Sequence, residues 1–139
     1  MPTPSILFLC VHNAGRSQMA AAYARRLGGD RLRVHSGGSA PGEHLNPAVV
    51  EAMREAGIDL AGESPKRLTD ALSADADVVV TMGCGDACPY ILGKRYLDWQ
   101  LDDPAGQPLQ VVRRIRDDVR AHVQQLLDDL TAPPADGKA

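Results

Sequence analysis

The chain has 139 residues, 44% of them hydrophobic, with 15 Lys and Arg against 18 Asp and Glu for a net charge of −3. That length supports a single sizeable core, and a slightly acidic chain with dispersed basic residues excludes nucleic acid and membrane surfaces as partners. No apolar run approaches the roughly 18 residues of a spanning helix, Met1-Pro-Thr-Pro4 lacks the basic region of a secretory signal, and three cysteines make no disulfide framework; the expectation is a cytoplasmic protein with reactive thiols.

Ser5-Ile-Leu-Phe-Leu9 has the continuous apolar character of a buried strand, and Gln18 to Leu27 is rich in good helix formers. Between them runs Cys10-Val-His-Asn-Ala-Gly-Arg16-Ser17. A strand, a glycine-bearing loop and a helix start together aim backbone N–H groups and the positive end of a helix dipole at an anion. Val11, His12, Asn13, Ala14, Gly15, Arg16 and Ser17 are therefore the expected oxyanion-binding residues. Cys10 is the expected nucleophile, because a helix N-terminus and an arginine favour the thiolate, the reactive form. Arg16 adds planar two-point contacts to a tetrahedral anion. Gly15 permits a turn that a side chain would hinder, and Asn13 tolerates a left-handed conformation that ties the loop to itself. His12 either supports the thiolate as a cation or fills a loop position. The alternative reading of Cys10 as a small buried hydrophobe explains neither Arg16 nor Gly15.

Leu32-Arg-Val-His-Ser36 reads as a short strand, and Asn46-Pro47 as a cap and first residue of a helix running to about Ala56. Asp77-Val-Val-Val-Thr81 is a third, buried strand. Met82-Gly-Cys84-Gly-Asp-Ala-Cys88-Pro89 follows, where two glycines and the proline disfavour a helix and a mobile turn lets two thiols approach disulfide distance. A zinc half-site and a pair of inert thiols are the other readings of Cys84 and Cys88; no second Cys/His pair has the spacing a zinc site needs, and no metal is expected. Tyr96 to Trp99 is a fourth strand. Leu109 to Leu130 is a helix with an apolar stripe at Val112, Ile115, Val119, Val123, Leu126 and Leu127. Residues 132–139 read as a disordered tail on a single domain spanning 1–131. Alternating strands and helices predict an α/β sandwich: four strands, mainly parallel, flanked by helices. Cys10, Ser36 and the segment after Thr81 then fall at strand carboxyl ends, where open sheets bind ligands.

Cys10-x5-Arg16-Ser17 after an apolar strand resembles the loop of the low-molecular-weight tyrosine phosphatases and of the arsenate reductases that share their fold. Asp102-Asp103-Pro104 is similar to the family's acid loop, in which the Asp before Pro is the general acid, here Asp103. With Cys84 and Cys88 added, the chain resembles the three-cysteine, thioredoxin-coupled arsenate reductases over about Ile6 to Leu130. The resemblance implies attack of Cys10 on arsenate, with phosphate or sulfate as competing anions. It also implies relay of the oxidising equivalent from Cys10 to Cys84 and then Cys88, reduction by thioredoxin, and no cofactor. Ser36 and Asn13 match residues that support the loop in that group. The carboxylates that help hold a potassium ion there are absent at Ala21 and near Pro65; Lys66 stands where an ammonium could take the ion's place, with an ordinary solvent-facing lysine as the favoured alternative. Relatives that use mycothiol need only the first cysteine, so mycothiol is the alternative reductant. A phosphatase is the alternative activity, although Ala105-Gly106-Gln107 stands where phosphatases carry aromatic residues. A non-enzymatic arsenic sensor would leave Asp103 idle.

Overall fold

β1, Ser5–Cys10, is buried along its whole length, as an apolar strand covered on both faces must be. In the computed structural model, which describes residues 3–83 and 94–131, it pairs with β2 (Arg33–Gly38) on one side and β3 (Val78–Thr81) on the other. β4 (Arg95–Asp98) lies beyond β3. The order is β2-β1-β3-β4 and every pairing is parallel, so the sheet is wholly parallel where it was expected to be mainly so. β2 runs two residues past the expected end at Ser36, because Gly37 and Gly38 continue the ladder opposite Leu9 and Cys10.

Side chains alternate across β1, and the two faces bury different layers. Ile6, Phe8 and Cys10 face a core shared with α1 (Arg16–Gly28), α2 (Pro47–Glu55) and α4 (Leu109–Thr131). Leu7 and Leu9 face a smaller cluster with Ala76 and Val79, packed on by Leu68, Leu72 and Tyr96. α4 buries the whole predicted stripe, from Val112 to Leu127. At about 1.5–3 kcal/mol per fully buried aliphatic side chain, that stripe is a major source of adhesion between helix layer and sheet. Arg116 fastens the layer by donating to the Ala52 carbonyl at 2.8 Å, and Arg113 grips Glu55 through two bonds of 2.8 and 2.7 Å.

α2 starts as predicted: Asn46 Oδ1 accepts from the Ala48 N–H at 2.9 Å and Pro47 occupies the first turn. α3 (Asp70–Asp75) has no counterpart in the sequence reading. Its signal is local: Thr69 Oγ1 accepts from the Leu72 N–H at 3.2 Å, while six residues are too few to display an apolar period. Parallel register brings the carboxyl ends of β1 and β3 together, since Leu9 lies opposite Thr81 and the Met82 N–H donates to the Leu9 carbonyl at 2.9 Å. The loop after β1 and the segment opening at Met82 therefore emerge side by side. Cys84, Cys88 and the expected tail over 132–139 lie outside the described residues.

Candidate active site

The loop from Val11 to Gly15 is held with its carbonyls turned outward. The Val11, His12 and Ala14 carbonyls accept from the N–H groups of Ala40 (2.9 Å), Gly42 (3.0 Å) and Asn46 (2.9 Å), and the Asn13 carbonyl accepts from Gln18 Nε2 (3.2 Å). In a planar trans peptide the N–H that follows a carbonyl points the opposite way. Four consecutive carbonyls drawn outward thus turn the N–H groups of His12, Asn13, Ala14 and Gly15 inward, as a concave donor nest. α1 begins directly afterwards with no side-chain cap, which adds first-turn N–H groups and the dipole to the same concavity. The anchoring role of segment 40–46, which supplies three of these N–H groups, carried no signal in the sequence, where Asn46 was read only as a helix cap, because the contribution comes from the main chain.

Cys10 closes β1 and is 3% exposed. Its Sγ lies 2.9 Å from Ser17 Oγ, and Asn13 Nδ2 donates to the same Oγ at 2.6 Å. An oxygen that already accepts from Asn13 has its own hydrogen free for the sulfur, so the pair is polarised toward a negative sulfur. Asn13 has φ of 51°, the left-handed conformation its side chain tolerates, and its Oδ1 accepts from the Lys66 N–H at 2.8 Å.

Arg16 is 11% exposed in its side chain. Its guanidinium donates to the Leu101 carbonyl at 3.2 Å and stands 3.6 Å from Asp103 Oδ2. These contacts tie the first residue of α1 to the acid loop. Asp103, itself exposed, accepts from the Ala105 N–H at 3.0 Å. Gly15 serves a purpose beyond the turn expected of it: a Cβ there would sit 2.9 Å from Pro104 Cγ, so the missing side chain is what lets the acid loop pack on the anion loop. Asn46 joins the two by donating Nδ2 to the Pro104 carbonyl at 3.3 Å. The result is a cleft enclosing about 60 Å³, lined by Cys10, Arg16 and Asp103 with His12, Ala14, Gly15, Asn46, Pro104 and Ala105. Asp102 faces away, into a separate depression with Arg114, Asp117 and Asp118.

Of the two supporting residues, Lys66 takes the solvent-facing reading and Ser36 stands apart from the loop network. The Lys66 ammonium does not stand in for a cation: it is half-exposed, 3.3 Å from the Ser64 carbonyl and 3.8 Å from Glu63 Oε1, and the contact with Asn13 comes from the Lys66 main chain. Ser36 is buried on β2, but its hydroxyl has no hydrogen-bond partner among the described residues and does not join the Asn13 network. Gln18, Asn46 and Pro104 belong to the site's scaffold and were not singled out in the sequence as site residues. Asn46 was read only as a helix cap and Gln18 only as a helix former.

Residues 5–134 match the low molecular weight phosphotyrosine protein phosphatase family. The chain belongs to that family. Among the relatives of this phosphatase-family chain is the glutaredoxin arsenate reductase of Synechocystis, 35% identical over 125 residues, which cover 88% of this chain and 95% of that protein. A solved thioredoxin-dependent arsenate reductase of Corynebacterium glutamicum superposes with a TM-score of 0.78 at 39% identity over 93% of this chain; the chain spans 62% of that protein's length. An arsenate reductase solved in its phosphate binding state superposes with a TM-score of 0.80 at 33% identity, covering 92% of this chain and 99% of the other. The four-stranded parallel sheet with its flanking helices is thus the phosphatase-family fold, shared with arsenate reductases. Among the described residues, no helix is long and apolar enough to cross a membrane.

Proposed function

We propose that this protein is an arsenate reductase in which Cys10 is the nucleophile. The observation that carries the reading is the Cys10 sulfur, 2.9 Å from the Ser17 hydroxyl, in a cleft of about 60 Å³ that also holds Arg16 and Asp103. Among the described residues no Phe, Tyr or Trp lines that cleft, which supports a bare tetrahedral oxyanion over an aryl phosphate. Arsenate reductases at 35% and 39% identity over most of the chain support the same substrate. The phosphate binding state of a third supports phosphate as a competing anion, and sulfate shares its shape and charge type.

The loop N–H groups and Arg16 hold arsenate while Cys10 Sγ attacks arsenic; an As–S bond forms and one oxygen departs as water after Asp103 protonates it. Cys84, as thiolate, then attacks Cys10 Sγ. The electron pair of the broken As–S bond passes to arsenic, which is reduced from the pentavalent to the trivalent state and leaves as arsenite, and a Cys10–Cys84 disulfide remains. Cys88 attacks Cys84, releasing Cys10 thiolate and forming a Cys84–Cys88 disulfide. A thioredoxin-type dithiol protein reduces that pair, taking the disulfide onto itself, as the Corynebacterium neighbour's dependence on thioredoxin supports.

The test is arsenate-dependent NADPH oxidation with thioredoxin and its reductase, run beside glutaredoxin-plus-glutathione and mycothiol couplings and an aryl-phosphate assay. Turnover of arsenate with thioredoxin, above the other couplings and above aryl-phosphate hydrolysis, is expected. Turnover with mycothiol alone would replace the internal relay by a one-cysteine mechanism, and aryl-phosphate hydrolysis without arsenate reduction would make the protein a phosphatase.

A further inference from the structure

Gln18 is 1% exposed in the first turn of α1, and its side-chain Nε2 faces three oxygens: the Asn13 carbonyl at 3.2 Å, Asn13 Oδ1 at 2.9 Å and the Ser64 carbonyl at 3.1 Å. Its Oε1 is buried with no partner among the described residues. A methionine would fill the same space without burying an unpaired carbonyl, so packing alone does not account for an amide here.

Donor and acceptor identities fix the orientation of both amides in this cluster. Two of the three oxygens on Gln18 are main-chain carbonyls, which only accept, so the nitrogen must face them. The Lys66 main-chain N–H only donates, so the Asn13 atom 2.8 Å from it must be the oxygen. Asn13 therefore presents Nδ2 to Ser17 Oγ, which leaves the Ser17 hydroxyl hydrogen available to Cys10 Sγ, and a thiolate sulfur, able only to accept, takes it. Were the Asn13 amide reversed, Ser17 would donate to Asn13 and the sulfur would lose its donor. Gln18 holds both ends of Asn13, the carbonyl of its left-handed main chain and the side-chain oxygen.

We propose that Gln18 is a positioning residue for the nucleophile: its amide locks Asn13 so that Ser17 is committed as a hydrogen donor to Cys10. This rests on the reading of Cys10 as the nucleophile and deepens it. Among the described residues, the other charged or titratable side chains lining the cleft with the sulfur are Arg16 from α1, His12 from the loop and Asp103 from the acid loop, and none of them is hydrogen-bonded to Gln18.

The test is the pH dependence of iodoacetamide alkylation at Cys10, followed by peptide mass spectrometry on the full chain without arsenate. In Gln18→Met the midpoint should move up by about one unit, the equivalent of one hydrogen bond to the thiolate. Ser17→Ala should move it by a similar amount, and the double variant should move it no further than Ser17→Ala alone, because both changes act on the same bond. An unchanged midpoint in Gln18→Met, even with a lower melting temperature, or full additivity with Ser17→Ala, overturns the proposal. Should Gln18→Met not fold, the native protein decides: both Gln18 Nε2 protons should exchange with water far more slowly than those of an exposed glutamine, and fast exchange overturns it. A shifted midpoint in a protein that fails to reduce arsenate would refute the reductase reading while leaving this one standing.

Discussion

Gly83→Ala isolates the placement of Arg16 from its charge. Gly83 has φ of 78°, and a Cβ built on it would lie 2.3 Å from Arg16 Nη1, 3.0 Å from Cζ and 3.2 Å from Nη2. Ordinary contact begins at 3.4 Å, so the guanidinium must retreat by about 1 Å, and doing so disturbs its contacts with the Leu101 carbonyl and Asp103. The positive φ adds about 1–2 kcal/mol of strain for any L side chain. In a chain of this size that strain lowers Tm by roughly 3–6 °C and leaves the fold intact. A displacement near 1 Å in an anion-gripping group costs about 10²-fold in rate, so kcat/KM for arsenate should fall by about that factor. Because Gly83 adjoins Cys84, phosphate protection of Cys10 against iodoacetamide is the decisive assay: it reads anion binding without involving the relay. Protection should weaken by about tenfold or more. Unchanged protection together with unchanged kcat/KM would refute the idea that Gly83 leaves room for the arginine.

Cys10→Ser should abolish arsenate reduction, since a hydroxyl at neutral pH is a poor nucleophile, and Arg16→Lys should fail nearly as badly for want of the planar two-point grip; steady-state assays check both, and appreciable activity in Cys10→Ser would sink the nucleophile assignment. Asp103→Asn should slow the chemical step by roughly 10²–10⁴-fold with little effect on phosphate protection, whereas Asp102→Asn should be mild because Asp102 faces another depression; the reverse ranking in single-turnover assays would exchange the two roles. Asp75 stabilises the fold in a pH-dependent way, because bonds from Arg33, His35 and Ser5 hold its pKa at about 2 against an ordinary 3.8. The carboxylate's contribution is fully present above pH of about 4 and is lost as pH falls toward 2, so the Tm gap between Asp75→Asn and the parent should close over that interval; a gap that stays constant down to pH 2 would contradict it.

Much of the fold could be read before any coordinates because its signals are local. Four consecutive apolar residues ending at Leu9, the Asn46-Pro47 cap and the α4 stripe each name an element without tertiary information, and Cys10, Gly15 and Arg16 name an anion loop. What escaped depends on contacts between distant segments. Nothing in the spelling of residues 40–46 says that their N–H groups pull the loop carbonyls outward. The reason for Gly15 lies in Pro104, 89 positions away, and that for Gly83 lies in Arg16. Lys66 was weighed for its charge when its main-chain N–H makes the contact, and Gln18 looked like a helix former because a buried amide serving three oxygens leaves no pattern in a sequence.

The most direct test of the mechanism is a single turnover of arsenate by the Cys88→Ser variant, followed by arsenite quantitation and disulfide mapping by mass spectrometry. One equivalent of arsenite per protein and a Cys10–Cys84 disulfide are predicted, with no further turnover when thioredoxin and its reductase are added. Continued turnover at the parent rate, or arsenite release with Cys84 still a free thiol, would contradict the relay.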